Sequence, residues 1–188
     1  MNSKINLFQS VQLRYYKASK QYKKRNLPVD HSKSVKNASR VLVCLPVETL
    51  EVVAAYQFVE DISRNFQHWD ITMLANENSL PRQKSKFSVV TYTENDLSRF
   101  DSPKKVLLQK FSHLSCDLAI DLSIPFNFTN LVILWKCDAR IRIGFYHPAR
   151  EDFYNFLLRL HSNTAYDSAC QSLLKYLKSF QANKSVSV

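Results

Sequence analysis

Beyond residue 40, short dense apolar runs alternate with longer segments in which apolar residues recur every three or four positions. The short runs are typical of strands buried on both faces of a sheet, and the longer segments are typical of amphipathic helices. The pattern predicts five strands, at 41–45, 70–75, 87–92, 117–122 and 140–145. It also predicts five helices, at 48–67, 102–114, 127–137, 147–160 and 165–180.

This alternation predicts an α/β fold. Strands that are separated by helices and joined by right-handed crossovers form a parallel sheet with helices on both faces. We expect a three-layer Rossmann-like domain over 38–182, with strand order 3-2-1-4-5. The continuous apolar runs of the first and fourth strands favour central positions for them. An antiparallel pairing between 70–75 and 87–92 would contradict this topology.

The N-terminal segment follows a different pattern. Residues 5–24 combine lysines with an apolar stripe at helical spacing, which predicts a basic helix. Residues 26–37 are polar and contain a proline, a composition typical of a linker. We therefore expect an arm over 1–37 that consists of helix and linker, and a disordered tail over 183–188. The apolar stripe consists of Ile5, Phe8, Val11, Tyr15 and Tyr22.

Positive charge is concentrated in this arm. The chain has a net charge of +10, and residues 1–40, with ten Lys or Arg and one acid, account for +9 of it. Two functions are open for such a segment, contact with an anionic membrane surface and, less favoured, contact with nucleic acid. The third interpretation is structural, a helix that packs on its own domain or on a second subunit of a homo-oligomer. The contact residues would be Lys17, Lys20, Lys23, Lys24 and Arg25.

The sequence predicts a cytoplasmic protein, and the arm could also attach it peripherally to the inner membrane. Its densest apolar run, 131–135, is far shorter than the ~20 residues that span a bilayer. The first 25 residues contain no apolar block of the kind found in secretory signals.

The scarcity of glycine excludes several enzyme classes. Gly144 is the single glycine of the chain, whereas dinucleotide fingerprints, P-loops and G-x-S-x-G elbows each need at least two. The five histidines lie in separate elements, so we predict no metal site, and we predict no cofactor. The four cysteines, at 44, 116, 137 and 170, lie in or beside apolar segments. We interpret them as small buried hydrophobic residues rather than disulfide partners.

Two segments resemble a known family. The strand and helix start Val41-Leu-Val-Cys-Leu-Pro-Val-Glu-Thr-Leu-Glu-Val-Val53 is similar to the opening of glycosyltransferase family 9, the bacterial heptosyltransferases. A stronger match joins Cys116-Asp-Leu-Ala-Ile-Asp-Leu122 to Ala139-Arg-Ile-Arg-Ile-Gly-Phe145, which resembles the Asp-Leu-x-Ile-Asp-Leu and Arg-x-Ile-Gly-Phe strands of that family. The resemblance covers 40–145 and implies the N-terminal Rossmann-like half of the family fold.

The chain also departs from the family pattern. The resemblance implies that a catalytic base, if the chain is active, is Glu51, but Leu50-Glu51 replaces the Gly-Asp of the family. We also expect the donor-binding second domain of the family to be missing. We therefore expect a non-catalytic glycosyltransferase-like domain that acts as a binding or structural module at the cytoplasmic membrane face. The alternative is the acceptor-binding half of a split glycosyltransferase that works with a separate donor-binding chain.

Four polar residues are candidates for ligand binding at the carboxyl edge of the sheet, where open α/β folds bind ligands. They are Glu51, Asp121, Ser123 and Asn127. Each also has a structural interpretation: Glu51 would complement the helix dipole, and Asp121 would form a turn or a capping network. We predict no catalytic residue other than Glu51 in the active case.

Overall fold

The computed structural model describes residues 5–18, 28–80, 86–111 and 114–182. Its strands are β1 Arg40–Cys44, β2 Asp70–Asn76, β3 Ser88–Tyr92, β4 Leu118–Asp121, β5 Ile141–Phe145 and β6 Phe156–Leu158. Its helices are α1 Leu7–Ala18, α2 His31–Lys36, α3 Thr49–Asn65, α4 Lys105–Lys110, α5 Phe128–Lys136 and α6 Tyr166–Ala182. No helix in these ranges is long and apolar enough to cross a membrane.

The strands form one parallel sheet of order β3-β2-β1-β4-β5-β6. β1 lies between β2 and β4, with Val41 aligned to Ile71 on one side and to Leu118 on the other. β2 and β3 are parallel, so the antiparallel alternative is excluded. The predicted fold class and the order 3-2-1-4-5 are therefore confirmed, with one strand more than expected.

The sixth strand corrects the helix predicted over 147–160. Pro148 begins only a 3-10 turn, Pro148–Arg150, and the chain then extends into β6 beside β5. The proline and the first-turn acid are true helix-start signals, but the guanidinium of Arg150 turns inward and is fully buried. A continued helix would compete with the hydrogen bonds that β6 supplies to the open edge of β5.

Successive side chains along each strand point to opposite faces of the sheet, so the core has two parts, each packed against one layer of helices. In β1, Val41 and Val43 face a cluster with α2, α3 and α6, whereas Leu42 and Cys44 face a cluster with α1, α4 and α5. Because both faces of the central strands are covered, their sequences read as continuous apolar runs rather than alternating ones.

The N-terminal segment is more ordered than the predicted linker implies. Residues 31–36 form α2, which Asp30 caps by accepting a hydrogen bond from the N–H of Lys33 at 2.9 Å. Val35 is completely buried in the core, and the His31 ring stacks against Phe180 of α6. This part of the predicted linker is therefore a packed helix. Residues 19–24 of the predicted basic helix and the predicted tail at 183–188 lie outside the described residues.

Candidate functional site

Asp121 ends β4 at the carboxyl edge of the sheet and is completely buried. Its Oδ2 accepts a hydrogen bond from the Tyr154 hydroxyl at 2.8 Å and pairs with the Arg150 guanidinium at 3.0 Å. Its Oδ1 accepts from the Asn130 side-chain amide at 2.9 Å and from the Ser123 N–H at 3.1 Å. We call these five residues the Asp121 network. Both oxygens of the carboxylate therefore have protein donors in this structure, and the prediction that Asp121 binds a ligand stays a prediction.

Arg150 also ties the network to the surrounding backbone. Its guanidinium donates to the carbonyl oxygens of Phe145 at 2.9 Å and Pro125 at 2.8 Å. The buried Arg150 guanidinium thereby connects the loop after β4 to the end of β5. Burial, followed by the charge of Asp121, raises the pKa of Tyr154 well above its usual value. Tyr154 therefore keeps its proton and remains a donor.

Gly144 is required by the position of Tyr154. A Cβ atom at residue 144 would lie 2.9 Å from Cε1 of Tyr154 and 3.5 Å from the carbonyl oxygen of Asp121. The tyrosine ring therefore lies directly on the β5 backbone, and only glycine leaves space for it. A single glycine inside a predicted strand is a signal of such a close approach. It is the sequence signal that could have indicated the network, whose Asn130, Arg150 and Tyr154 were not predicted.

Ser123 and Asn127 lie near Asp121 and serve mainly local structure. The Ser123 hydroxyl accepts from the Asn130 amide at 3.0 Å and is buried. Asn127 caps α5 by accepting a hydrogen bond from the Asn130 N–H at 3.0 Å. Asn127 also lines a cavity of about 270 Å³ that α1 borders through Gln9, and Asp101 lies on its wall. Of the predicted ligand residues, Asn127 is the one that reaches this cavity.

Glu51 lies apart from that group, in the first turn of α3. Its Oε2 is buried and has no hydrogen-bond partner among the described residues. Burial, together with the nearby Glu48 carboxylate, raises the pKa of Glu51. Exposed apolar side chains surround this turn: Val47, Leu50 and Val53. The structure thus joins Asp121, Ser123 and Asn127 through Asn130, and it bonds Glu51 to none of them within the described ranges.

No group of three or more His, Cys, Asp or Glu side chains in the described ranges lies close enough together to hold a metal ion.

α1 packs on the domain through a partly polar face. Leu13 is buried in the core, the Gln9 amide donates to the Phe100 carbonyl at 3.2 Å, and the Gln12 amide donates to the Ser102 hydroxyl at 3.2 Å. Lys17, one of the predicted surface contacts, forms an ion pair with Asp152. The other predicted contacts, Lys20, Lys23, Lys24 and Arg25, lie outside the described residues.

The opposite face of α1 is apolar and open. Leu7, Val11 and Tyr15 are 82%, 56% and 74% exposed, respectively. Their i, i+4, i+8 spacing places them in one row along the helix. We call this row the outer stripe. It shares Val11 and Tyr15 with the predicted stripe, whose Ile5 instead packs against the core beside Leu13 and whose Phe8 stacks on Phe100.

Solved structures that share this fold include two glycosyltransferases. The heptosyltransferase WaaC of E. coli, solved with ADP, matches with a TM-score of 0.56 at 14% identity, over 73% of this chain and 46% of that one. A glycosyl transferase of family 9 from Veillonella parvula DSM 2008 matches with a TM-score of 0.56 at 16% identity, over 79% of this chain and 42% of that one. The chain thus spans less than half the length of each, and the likeness confirms the resemblance at the level of the fold.

A search of curated proteins finds no match. Residues 12–180 match a family described as "Family of unknown function (DUF6913)". This match covers most of the chain, from α1 to α6, and the protein belongs to that family.

Proposed function

We propose that this chain is a non-catalytic, glycosyltransferase-like α/β module that binds the anionic cytoplasmic face of a membrane through α1. The observation that carries the proposal is the outer stripe. α1 is already attached to the domain through Leu13, Gln9 and Gln12, so folding does not require the apolar row of Leu7, Val11 and Tyr15 to be covered. An exposed apolar row on a basic helix is typical of helices that lie in a membrane interface.

Charge supports an anionic lipid surface as the occupant of the stripe. Arg14 is exposed on α1, and Lys20, Lys23, Lys24 and Arg25 follow the helix in sequence. A basic side chain near an anionic leaflet contributes about 1 kcal/mol of binding free energy. Burial of a Val or Leu side chain adds about 1.5–3 kcal/mol. The two contributions together are sufficient for reversible peripheral binding.

The experiment is co-sedimentation of the full chain with anionic and neutral phospholipid vesicles. The variant Leu7→Ser/Val11→Ser should reduce binding to anionic vesicles at least tenfold, because it removes two apolar side chains that would enter the lipid. Leu50→Ser/Val53→Ser on α3 is the matched control, since it removes two equally exposed apolar side chains elsewhere. Deletion of the arm is unsuitable, because it would also remove the core residue Leu13.

Salt and nucleic acid complete the test. Binding should weaken as salt is raised above physiological strength, where the Debye length is already only about 8 Å. Binding that is equal for both vesicle types, or that is unchanged in Leu7→Ser/Val11→Ser, would contradict the proposal. Binding of duplex DNA without binding of vesicles would favour the nucleic-acid interpretation instead.

A second candidate is the acceptor-binding half of a split glycosyltransferase. The observation that favours it is the exposed apolar group of Val47, Leu50 and Val53 beside Glu51, at the sheet edge where a partner chain would close a cleft. Calorimetry of this chain alone with ADP- and UDP-sugars should give no heat of binding under either candidate, because a split enzyme carries its donor site on the separate chain; micromolar affinity would contradict both. A pull-down from native lysate separates the candidates: the split enzyme should capture a donor-binding chain, and Leu50→Ser/Val53→Ser should release it, whereas the module should capture none.

A further inference from the structure

Two cysteines meet at the amino edge of the sheet, opposite the Asp121 network. Cys116 lies two residues before the start of β4 at Leu118, and Cys137 caps the end of α5. Their thiols are hydrogen-bonded to each other, and the two residues are only 6% and 3% exposed. Neither cysteine is part of a disulfide. The pair is therefore a contact between two separate elements that no disulfide holds.

Cys116 differs from a typical core thiol because it borders two cavities. One, of about 310 Å³, is lined also by Lys33, Asp138 and Arg140. These three residues are exposed, so the cavity opens to solvent. The other, of about 90 Å³, is lined by Cys116 together with Arg40 and Ser115. Cys116 therefore lies at the edge of a solvent-open cavity that is large enough for a reagent of the size of hydrogen peroxide.

The charges around Cys116 favour its thiolate. The hydrogen bond from Cys137 lowers the pKa of Cys116; burial and Asp117 act against this, and the Arg40 guanidinium adds to it. The pKa values of Cys44 and Cys170 are shifted in the opposite direction. Burial raises the pKa of Cys44 well above its usual value and that of Cys170 to about 12. The chain thus carries one activated thiol with a neighbouring partner, and two inert ones.

We propose that Cys116 and Cys137 form a reversible oxidation site for hydroperoxides. The Cys116 thiolate attacks a peroxide oxygen; an S–O bond forms, the O–O bond breaks, and the leaving hydroxide or alkoxide takes up a proton. Cys116 becomes a sulfenic acid and the peroxide is reduced to water or an alcohol. The Cys137 sulfur then attacks that of Cys116; the S–S bond forms, the S–O bond breaks, and water leaves with the thiol proton. Reduction by an external dithiol restores both thiols.

The test treats the reduced full chain with a small excess of hydrogen peroxide and follows its intact mass. The expected product has lost the mass of two hydrogen atoms, and peptide mapping should join Cys116 to Cys137 while Cys44 and Cys170 remain reduced. A dithiol should reverse the change. In Cys137→Ser, a 1,3-dione probe should instead trap the sulfenic acid at Cys116. In Cys116→Ser, no disulfide should form and Cys137 should stay reduced.

Two further measurements keep the result interpretable. Arg40→Gln retains both cysteines but should slow the peroxide reaction of Cys116, since it removes the neighbouring cation. Circular dichroism of each variant checks that the fold is kept. Oxidation of Cys44 or Cys170 as fast as Cys116, a disulfide between any other pair, or no disulfide in a folded wild-type chain would overturn the proposal.

Discussion

Replacement of Arg150 by methionine tests how strongly the Asp121 network stabilises the fold. The side chain is completely buried, and its guanidinium lies 3.0 Å from Asp121, which is equally buried. Methionine fills a similar volume but carries no charge and no donor. Arg150→Met therefore leaves a buried carboxylate without its cation, and it leaves the carbonyl oxygens of Phe145 and Pro125 without their donor.

The expected cost follows from those contacts. Removal of one partner of a buried ion pair costs about 3–5 kcal/mol, because the remaining charge is no longer compensated. Each carbonyl left unpaired adds about 1–3 kcal/mol, part of which is recovered where water enters or the backbone relaxes. We expect the free energy of unfolding to fall by about 5 kcal/mol in total, the lower end of that sum. Since domains are stable by about 5–15 kcal/mol, this loss is a large fraction of the whole.

The assay is urea unfolding at neutral pH, followed by the fluorescence of Trp69 and Trp135. Arg64→Met in α3 is the matched control. Arg64 pairs with Glu60 and Asp61 on the exposed helix surface, so its loss should cost at most about 1 kcal/mol. The double variant Asp121→Asn/Arg150→Met should recover part of the loss, because no uncompensated charge remains. A loss below about 1 kcal/mol in Arg150→Met would refute the reasoning.

Two further predictions concern the same edge of the sheet. Gly144→Ala should lower the free energy of unfolding by about 1–3 kcal/mol, because the new Cβ overlaps the Tyr154 ring. Urea unfolding measures this loss, and an unchanged unfolding midpoint would contradict the prediction. Glu51→Gln should raise stability at pH 7, because a raised pKa means that folding disfavours the charged carboxylate. The gain should vanish below pH about 4, the usual range of a glutamate pKa. A less stable Glu51→Gln variant at pH 7 would contradict that explanation.

Most of the fold follows from local patterns, and its exceptions are short elements that depend on tertiary contacts. β1 and β4 are continuous apolar runs, so both their existence and their central positions could be predicted. β6 has three residues and follows a helix-start signal, and it is a strand only because the edge of β5 is available. α2 is six residues long in a polar segment, and its one deeply buried side chain, Val35, gives no periodicity to detect.

The site was less predictable, because a polar residue at the end of a strand can either face a ligand or be buried among protein hydrogen-bond donors. Asp121 was correctly placed at the carboxyl edge, but its partner Arg150 lies 29 residues further along the chain. No local pattern shows that this arginine turns inward. The same ambiguity affects α1, where apolar spacing identified the helix but not which face contacts the core. There the polar Gln9 is buried, whereas Leu7 is exposed.

The central position of β1 has a consequence for the order of folding. Its pairing with β2 joins residues 30 apart, Arg40 and Asp70, whereas its pairing with β4 joins residues 77 apart, Val41 and Leu118. The larger loop costs roughly 0.8 kcal/mol more in chain entropy at closure. Contacts so distant in sequence slow the search for the native state. The two halves of the sheet, β1 to β3 and β4 to β6, can each form from contacts between neighbouring elements. We therefore expect the pairing of β1 with β4 to be the last step of sheet formation.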